Sequence, residues 1–230
     1  MQKLIVCLLL LFPANRIMTN VAESQSAFSI LNTEFSCIGQ LFKEMQLEGI
    51  IDFTAFRQAV TGYHRIEQKE KPVMTIIDFT KPSTEKRLFV LDMEKKELLF
   101  SSVVSHGRNS GGKYATSFSN KYGSYQSSLG FYLTEHTYQG RNGYSMILNG
   151  LEKGINDRAK QRAIVVHGAA YANPSVAISS GRLGRSQGCP ALPQAIAKPI
   201  INTIKGGSVL YIYAGNTDYL SQSSILEQGS

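Results

Sequence analysis

The chain has 230 residues, of which 43% are hydrophobic and 18% are charged, and it carries a formal net charge of +7. This length allows one or two domains, and the composition is typical of a soluble globular protein. A polyanionic cell wall or an anionic membrane face explains the positive charge as well as a nucleic acid would. Because no basic block or RNA-binding motif is present, we expect no nucleic-acid partner and at most transient contact with a membrane surface.

The first residues are typical of a secretory signal. Lys3 precedes nine apolar residues, 4–12, and Pro13 ends the run. A positively charged start followed by a short apolar stretch is the pattern of a signal peptide, and the stretch is too short to span a bilayer as a helix. We therefore predict a signal peptide over 1–22, cleavage near Ala22, and export to the periplasm or cell envelope. The alternative is an uncleaved anchor or a buried N-terminal strand.

A small helical segment is predicted over 23–72. After a polar lead-in, apolar residues recur at helical spacing from Ile38 to Met45. Asp52 is placed to cap a second helix that carries Phe53, Phe56 and Tyr63 on one face. A charged run before Pro72 is expected to end this helix.

Strand patterns dominate from residue 73 onward and predict a mainly β domain with some α-helix over 73–215. The predicted strands are 73–79, 88–92, 98–104, 129–138, 144–151, 163–167 and 208–213. Two short helices are predicted, one over 155–162 and one beginning near Pro199. Residues 105–128 form a long loop that we expect to be ordered and functional. Residues 216–230 are predicted to be a polar, frayed tail.

A histidine and a cysteine late in the chain suggest covalent chemistry. His167 ends an apolar run that reads as a buried strand, and Cys189 lies between Gly188 and Pro190 in a turn. A thiol beside an imidazole is sufficient for acyl transfer: the thiol is the nucleophile, and the histidine acts first as base and then as acid. No carboxylate adjoins His167 in the sequence, so we expect a backbone carbonyl near Gly168 to orient the ring.

Residues around the cysteine are candidates for supporting roles. The amides of Gly188 and Cys189 are placed to stabilise an oxyanion, and Ser186 can hydrogen-bond within the loop or to substrate. Arg185 can bind a carboxylate through two parallel hydrogen bonds. His106, inside the long loop, is a candidate for lining the cleft and contacting substrate.

The same residues allow other interpretations of the function. If Cys37 and Cys189 formed a disulfide in an exported protein, the chain would be a basic wall-binding module without catalysis. A zinc site built from histidines and Cys189 lacks the short spacing and the carboxylate base of known sites, so we predict no metal. A sortase-like enzyme would need an arginine after the cysteine, and none occurs beyond Arg185.

The motifs around the two residues resemble a known family. His167-Gly168 followed by Ser186-Gln187-Gly188-Cys189 is similar to the His-Gly and Ser-x-Gly-Cys signature of murein L,D-transpeptidase catalytic domains, in the subgroup with proline after the cysteine. Further matching stretches are 105–107, 118–120, 127–132, 149–151, 162 and 184–186. The resemblance covers about residues 88–213. The better-known branch of the family has other residues where this chain has Gln187 and Pro190.

This resemblance implies a β-sandwich fold and a specific reaction. Cys189 would attack the carbonyl of the third residue of a peptidoglycan tetrapeptide stem and expel the terminal D-alanine. The acyl-enzyme would pass to the amine of a second stem, giving a 3–3 cross-link, or to water, as in an L,D-carboxypeptidase. The family needs no metal or organic cofactor, and carbapenem-type β-lactams would be expected to acylate Cys189.

Overall fold

Residues 36–227 are the part of the chain that this computed structural model describes. The predicted signal peptide over 1–22 and most of the lead-in fall outside the described residues. The chain divides into two compact units, 1–40 and 41–230, and apart from residues 36–40 the elements below belong to the second. Within residues 36–227 no helix has the length and apolar composition needed to cross a membrane.

Two helices precede the sheet, as predicted. The first, α1, spans 36–44, and the second, α2, spans Phe53–Arg65. Asp52 caps α2, since its Oδ1 accepts a hydrogen bond of 2.9 Å from the N–H of Ala55. Gly62 lets α2 approach the sheet closely, because a Cβ there would lie 2.1 Å from the ring of Phe131. Helix α2 thus belongs to the same core as the strands it contacts.

The eight strands form one sheet, and the predicted mainly β class with some α-helix is confirmed. The strands are β1 (Val73–Asp78), β2 (Leu88–Asp92), β3 (Glu97–Ser102), β4 (Gly130–Gly140), β5 (Gly143–Gly150), β6 (Val165–Gly168), β7 (Ala191–Leu192) and β8 (Val209–Tyr213). Their order across the sheet is β3-β2-β1-β8-β4-β5-β6-β7. The pairs β1–β8 and β6–β7 are parallel and the others antiparallel. Strands β1 and β8 are buried along their whole length.

The two ends of the sheet meet through the chain that leaves β3. Three residues after β3, the Ser105 N–H donates a hydrogen bond of 2.8 Å to the carbonyl of Ala191 in β7. Gly107 then pairs with Ser186 in a parallel bridge. The sheet therefore curves into a barrel-like shape. This junction holds the start of the long loop against the segment that carries Cys189.

The helices that follow β5 along the chain differ from the predictions. Residues 155–162, predicted as a short helix, form a series of turns instead, because the Glu152 carbonyl accepts the N–H groups of 155, 156 and 157. A short 3-10 turn, Ala170–Ala172, and a helix α3, Pro174–Ser180, follow β6. Helix α4 spans Gln194–Ile204, so Pro199 lies inside it rather than at its start. Burial of Ile200, Ile201 and Ile204 outweighs the hydrogen bond that the proline cannot donate.

The predicted frayed tail is in part a helix. Helix α5 spans Thr217–Gln222, and Asn216 caps it by accepting from the Tyr219 N–H at 2.7 Å. Tyr219 is buried, and its hydroxyl donates to the buried Glu152 carboxylate at 3.1 Å. Ser223 also donates to Glu152. The prediction failed because these polar residues find a buried partner that the sequence pattern does not reveal.

Candidate active site

His167 lies on β6 with its ring fixed by the backbone. The strand places it opposite Ala191 of the parallel strand β7. Its Nδ1 lies 3.0 Å from the carbonyl oxygen of its neighbour Gly168. Because a carbonyl only accepts, Nδ1 carries the proton and Nε2 is left as a base. Burial lowers the pKa of His167, and the hydrogen bond to Gly168 partly opposes this effect. The ring is therefore neutral at pH 7.

Cys189 lies two residues before β7, with 8% of its surface exposed. Its thiol donates to the carbonyl of Ala163, at a sulfur-to-oxygen distance of 3.5 Å. Burial raises the pKa of Cys189, against the lowering effects of the Val165 N–H, the charge of Arg162 and its own N–H. The resting state is therefore a neutral thiol. A general base is needed to generate the nucleophilic thiolate at neutral pH.

The two side chains share one cavity. A cavity of about 560 Å³ is lined by both His167 and Cys189. Its other walls are Arg108, Tyr122, Gly123, Tyr125, Arg141, Asn142, Arg162, Ala163, Tyr171, Arg185, Ser186 and Gln187. Cys189 and His167 are both buried, yet both belong to the wall of this cavity, so a substrate that enters it comes to the surface that both residues share.

The loop before Cys189 is held by the hydroxyl of Ser186. Ser186 Oγ donates to the Cys189 carbonyl at 2.6 Å and accepts from the Gly188 N–H at 3.0 Å. Gly188 has a φ of +124°, and a Cβ there would lie 2.8 Å from the Gln126 carbonyl oxygen. Glycine is therefore required. The Gly188 amide, predicted to stabilise an oxyanion, is already engaged by Ser186, which leaves the Cys189 N–H as the candidate donor.

Arg162, which matches the family pattern but was assigned no role from the sequence, holds the long loop against the cysteine. Its Nη1 donates to the Ser119 carbonyl at 2.7 Å and to Ser128 Oγ at 2.5 Å. Its Nη2 donates to the Gln126 carbonyl at 2.5 Å and to Ser124 Oγ at 3.2 Å. The sequence shows an arginine five residues before His167, but this position alone does not indicate its partners. They lie 34 to 43 residues earlier in the chain, and only the fold brings them together.

Arg185 lies on the cavity wall, and its binding of a substrate carboxylate stays a prediction. Its Nη1 donates to the carbonyls of Arg108 and Gly111, each at 3.0 Å. These bonds connect the cysteine-bearing segment to the long loop. Arg185 is exposed and lines the cavity.

The prediction that His106 contacts substrate is wrong. His106 is 1% exposed and does not line the cavity. The buried guanidinium of Arg87 donates from Nη2 to its Nδ1 at 2.8 Å. Burial and the charge of Arg87 lower the pKa of His106 to about 4, so the ring is neutral. Its Nε2 points at the carbonyl of Gly111, at 3.4 Å. His106 therefore stabilises the long loop from inside the fold, through its contacts with Arg87 and Gly111.

The rival sites proposed from the sequence are not assembled in the described residues. Within 36–227, no three His, Cys, Asp or Glu side chains are grouped so that they could hold a metal ion. Cys37 is exposed and Cys189 is buried, and both are free thiols. The thiol of Cys189 is therefore free in the structure.

A comparison with known families identifies the catalytic domain. A profile of the L,D-transpeptidase catalytic domain matches residues 47–213. No curated protein is similar enough to this chain to match it.

Solved structures are similar to part of the chain. An L,D-transpeptidase from Mycobacterium smegmatis is 14% identical, with 62% of this chain and 59% of that chain covered and a TM-score of 0.39. The helical cell shape determining protein Pgp2 from Campylobacter jejuni is 12% identical, with 70% and 57% covered and a TM-score of 0.44. An L,D-transpeptidase in complex with imipenem is 14% identical, with 62% and 59% covered and a TM-score of 0.37. The matched part spans less than two thirds of each of these proteins.

Proposed function

This chain belongs to the family of L,D-transpeptidase catalytic domains, and we propose that it is an exported cysteine acyltransferase that forms 3–3 cross-links in peptidoglycan. The observation that carries the proposal is the shared cavity, whose wall includes both Cys189 and His167. Two neutral groups of this kind, one acidic and one basic, are what acyl transfer through a thioester requires.

The first half-reaction would form the acyl-enzyme. Nε2 of His167 takes the thiol proton as the sulfur of Cys189 attacks the carbonyl of the third stem residue. The Cys189 N–H then faces the oxygen on which negative charge develops. The imidazolium protonates the departing amine, the carbon–nitrogen bond breaks, and D-alanine leaves. Because burial lowers the pKa of His167, the imidazolium is a stronger acid than free imidazolium and returns its proton readily.

The second half-reaction decides the product. The amine of a second stem attacks the thioester, and His167 takes its proton. The carbon–sulfur bond then breaks, the acyl group stays on the new amine, and the imidazolium returns the proton to the sulfur of Cys189. Water in place of the amine gives a tripeptide stem, which is the L,D-carboxypeptidase reaction. Both products come from one acyl-enzyme, so product analysis distinguishes them.

Inhibition by β-lactams follows from the same chemistry. A carbapenem presents a strained amide carbonyl to the thiolate, so we propose that it acylates Cys189 and blocks the cavity. The predicted signal peptide supports export to the periplasm or cell envelope, where such stems and such inhibitors are met.

The test is to incubate the purified protein with a disaccharide-tetrapeptide and to identify the products by mass. We expect a cross-linked dimer with release of D-alanine, or a tripeptide if water is the acceptor. Cys189→Ala should form neither product. Cys37→Ala is the matched control, since it removes the exposed thiol and should leave turnover unchanged. Absence of any reaction in the wild-type protein would overturn the proposal.

A further inference from the structure

The cavity wall is strongly cationic. Four arginines line it, namely Arg108, Arg141, Arg162 and Arg185, and none of the described residues on its wall is an aspartate or a glutamate. The two ion pairs defined in residues 36–227, Lys96 with Glu44 and Lys160 with Glu135, lie elsewhere. Four guanidinium groups without a carboxylate make a strong positive potential in a partly enclosed space, so the cavity favours an anionic ligand.

Two of the four arginines are committed to the protein itself. Arg162 donates hydrogen bonds from both terminal nitrogens to the long loop. Arg185 uses Nη1 for the carbonyls of Arg108 and Gly111. These bonds fix both side chains in place. Their charges still contribute to the potential, but most of the Arg162 donors are not available to a ligand.

The other two arginines have free donors. The guanidinium of Arg108 stacks on the ring of Tyr125, with 4.0 Å from Cζ to the ring centroid. Stacking fixes the plane of the group and leaves its edge N–H groups directed sideways, the geometry that binds a carboxylate through two parallel bonds. Arg141 stands in the two-residue turn between β4 and β5, and its side chain makes no hydrogen bond or ion pair within residues 36–227 while it lines the cavity.

Resting on the proposed function, we propose that Arg108 and Arg141 are specificity-determining residues that bind two free carboxylates of the acyl-donor stem. The enzyme would then select stems whose carboxyl groups are free over stems in which they are amidated. An amide is neutral and offers one acceptor oxygen where a carboxylate offers two. A charged hydrogen-bonded pair is typically worth about 1.5–3 kcal/mol, so amidation of one carboxylate should lower kcat/KM by about 10- to 100-fold.

The experiment compares two tetrapeptide stems of the same sequence. One has every carboxyl group free, and the other has one internal carboxyl group amidated while the terminal D-alanine carboxylate is kept. We expect the wild-type protein to release D-alanine from the free stem with a kcat/KM about 10- to 100-fold higher than from the amidated stem. Arg108→Gln or Arg141→Gln should reduce this ratio by losing turnover of the free stem while turnover of the amidated stem changes little.

Arg158→Gln is the matched control. It removes the same charge from an exposed position that is not on the cavity wall, so its ratio should equal that of the wild type. A wild-type ratio near one would overturn the proposal. A ratio that survives in both Arg108→Gln and Arg141→Gln would overturn the assignment to these two residues.

A binding measurement separates this inference from the proposed function. Isothermal titration of Cys189→Ala with each stem reports recognition without turnover. If the wild-type protein released D-alanine from neither stem, the proposed function would fail, and tighter binding of the free stem would still support the carboxylate site. Equal binding of the two stems, with turnover intact, would reject the carboxylate site alone.

Discussion

Replacement of Arg162 separates its positive charge from its hydrogen bonds. Arg162→Lys keeps the charge, but a single ammonium cannot reach the acceptors that the two terminal nitrogens now serve. Arg162→Gln removes the charge as well. In the wild-type protein, Arg162 donates hydrogen bonds to the carbonyls of Ser119 and Gln126 at 2.7 and 2.5 Å. Both changes leave these carbonyls without their donor. An acceptor left without its partner costs about 1–3 kcal/mol, so we expect each variant to lose about 2–4 kcal/mol of unfolding free energy.

The thiol should respond differently in the two variants. The charge of Arg162 is one of the influences that lower the pKa of Cys189. Arg162→Gln should therefore raise this pKa further, whereas Arg162→Lys should keep it near the wild-type value. The pH dependence of alkylation by iodoacetamide measures the thiol pKa, and urea denaturation measures stability.

Two results would refute this role for Arg162. If Arg162→Gln and the wild type had the same alkylation profile, the charge would not act on the thiol. If Arg162→Lys were as stable as the wild type, the hydrogen bonds to the long loop would contribute nothing measurable.

Three further predictions concern a backbone position, a buried histidine and the resting thiol. Gly188→Ala should destabilise the protein by about 2–4 kcal/mol in urea denaturation, because its φ is +124° and the added Cβ would lie 2.8 Å from the Gln126 carbonyl. Gly112→Ala, which meets nothing within 4 Å, should be neutral, and equal stability of the two variants would contradict the prediction. Burial and the charge of Arg87 lower the pKa of His106 from 6.5 to about 4 in the folded protein. As the pH falls, the unfolded state therefore takes up the proton before the folded state does, and the free energy of unfolding decreases between pH 6.5 and 4. His106→Gln should flatten this fall by up to about 3 kcal/mol, and an unchanged slope would contradict a neutral buried ring. Since burial raises the pKa of Cys189, its alkylation rate should keep rising above pH 8.5, the pKa of a typical free thiol being about 8.5; a plateau below that pH would show a depressed pKa instead.

Local sequence patterns predicted the elements that depend on near neighbours. The cap of α2 by Asp52 involves a residue three positions away. The strand that carries His167 follows from four apolar residues in a row, and the turn at Cys189 follows from the glycine before it. Even the partner of the imidazole, the Gly168 carbonyl, is the adjacent residue. Contacts of this range can be inferred from residue order alone.

Contacts between distant parts of the chain were missed for a physical reason. The buried position of His106 depends on Arg87, which lies 19 residues earlier. Helix α5 is held through Glu152, 71 residues before Ser223. Polar residues of this kind are usually exposed, and only the fold supplies the buried partner that reverses the expectation. The role of Arg162 was missed in the same way. The signal peptide stays a prediction, since residues 1–22 lie outside the described part of the chain.

The most direct test of the central claim is the intact mass of the protein during reaction with a tetrapeptide stem. We predict a transient adduct with the mass of the stem less D-alanine, located by peptide mapping on Cys189. The adduct should form slowly in His167→Ala and not at all in Cys189→Ala. Release of D-alanine by Cys189→Ala at the wild-type rate would contradict the claim, because the sulfur would then take no part in the reaction.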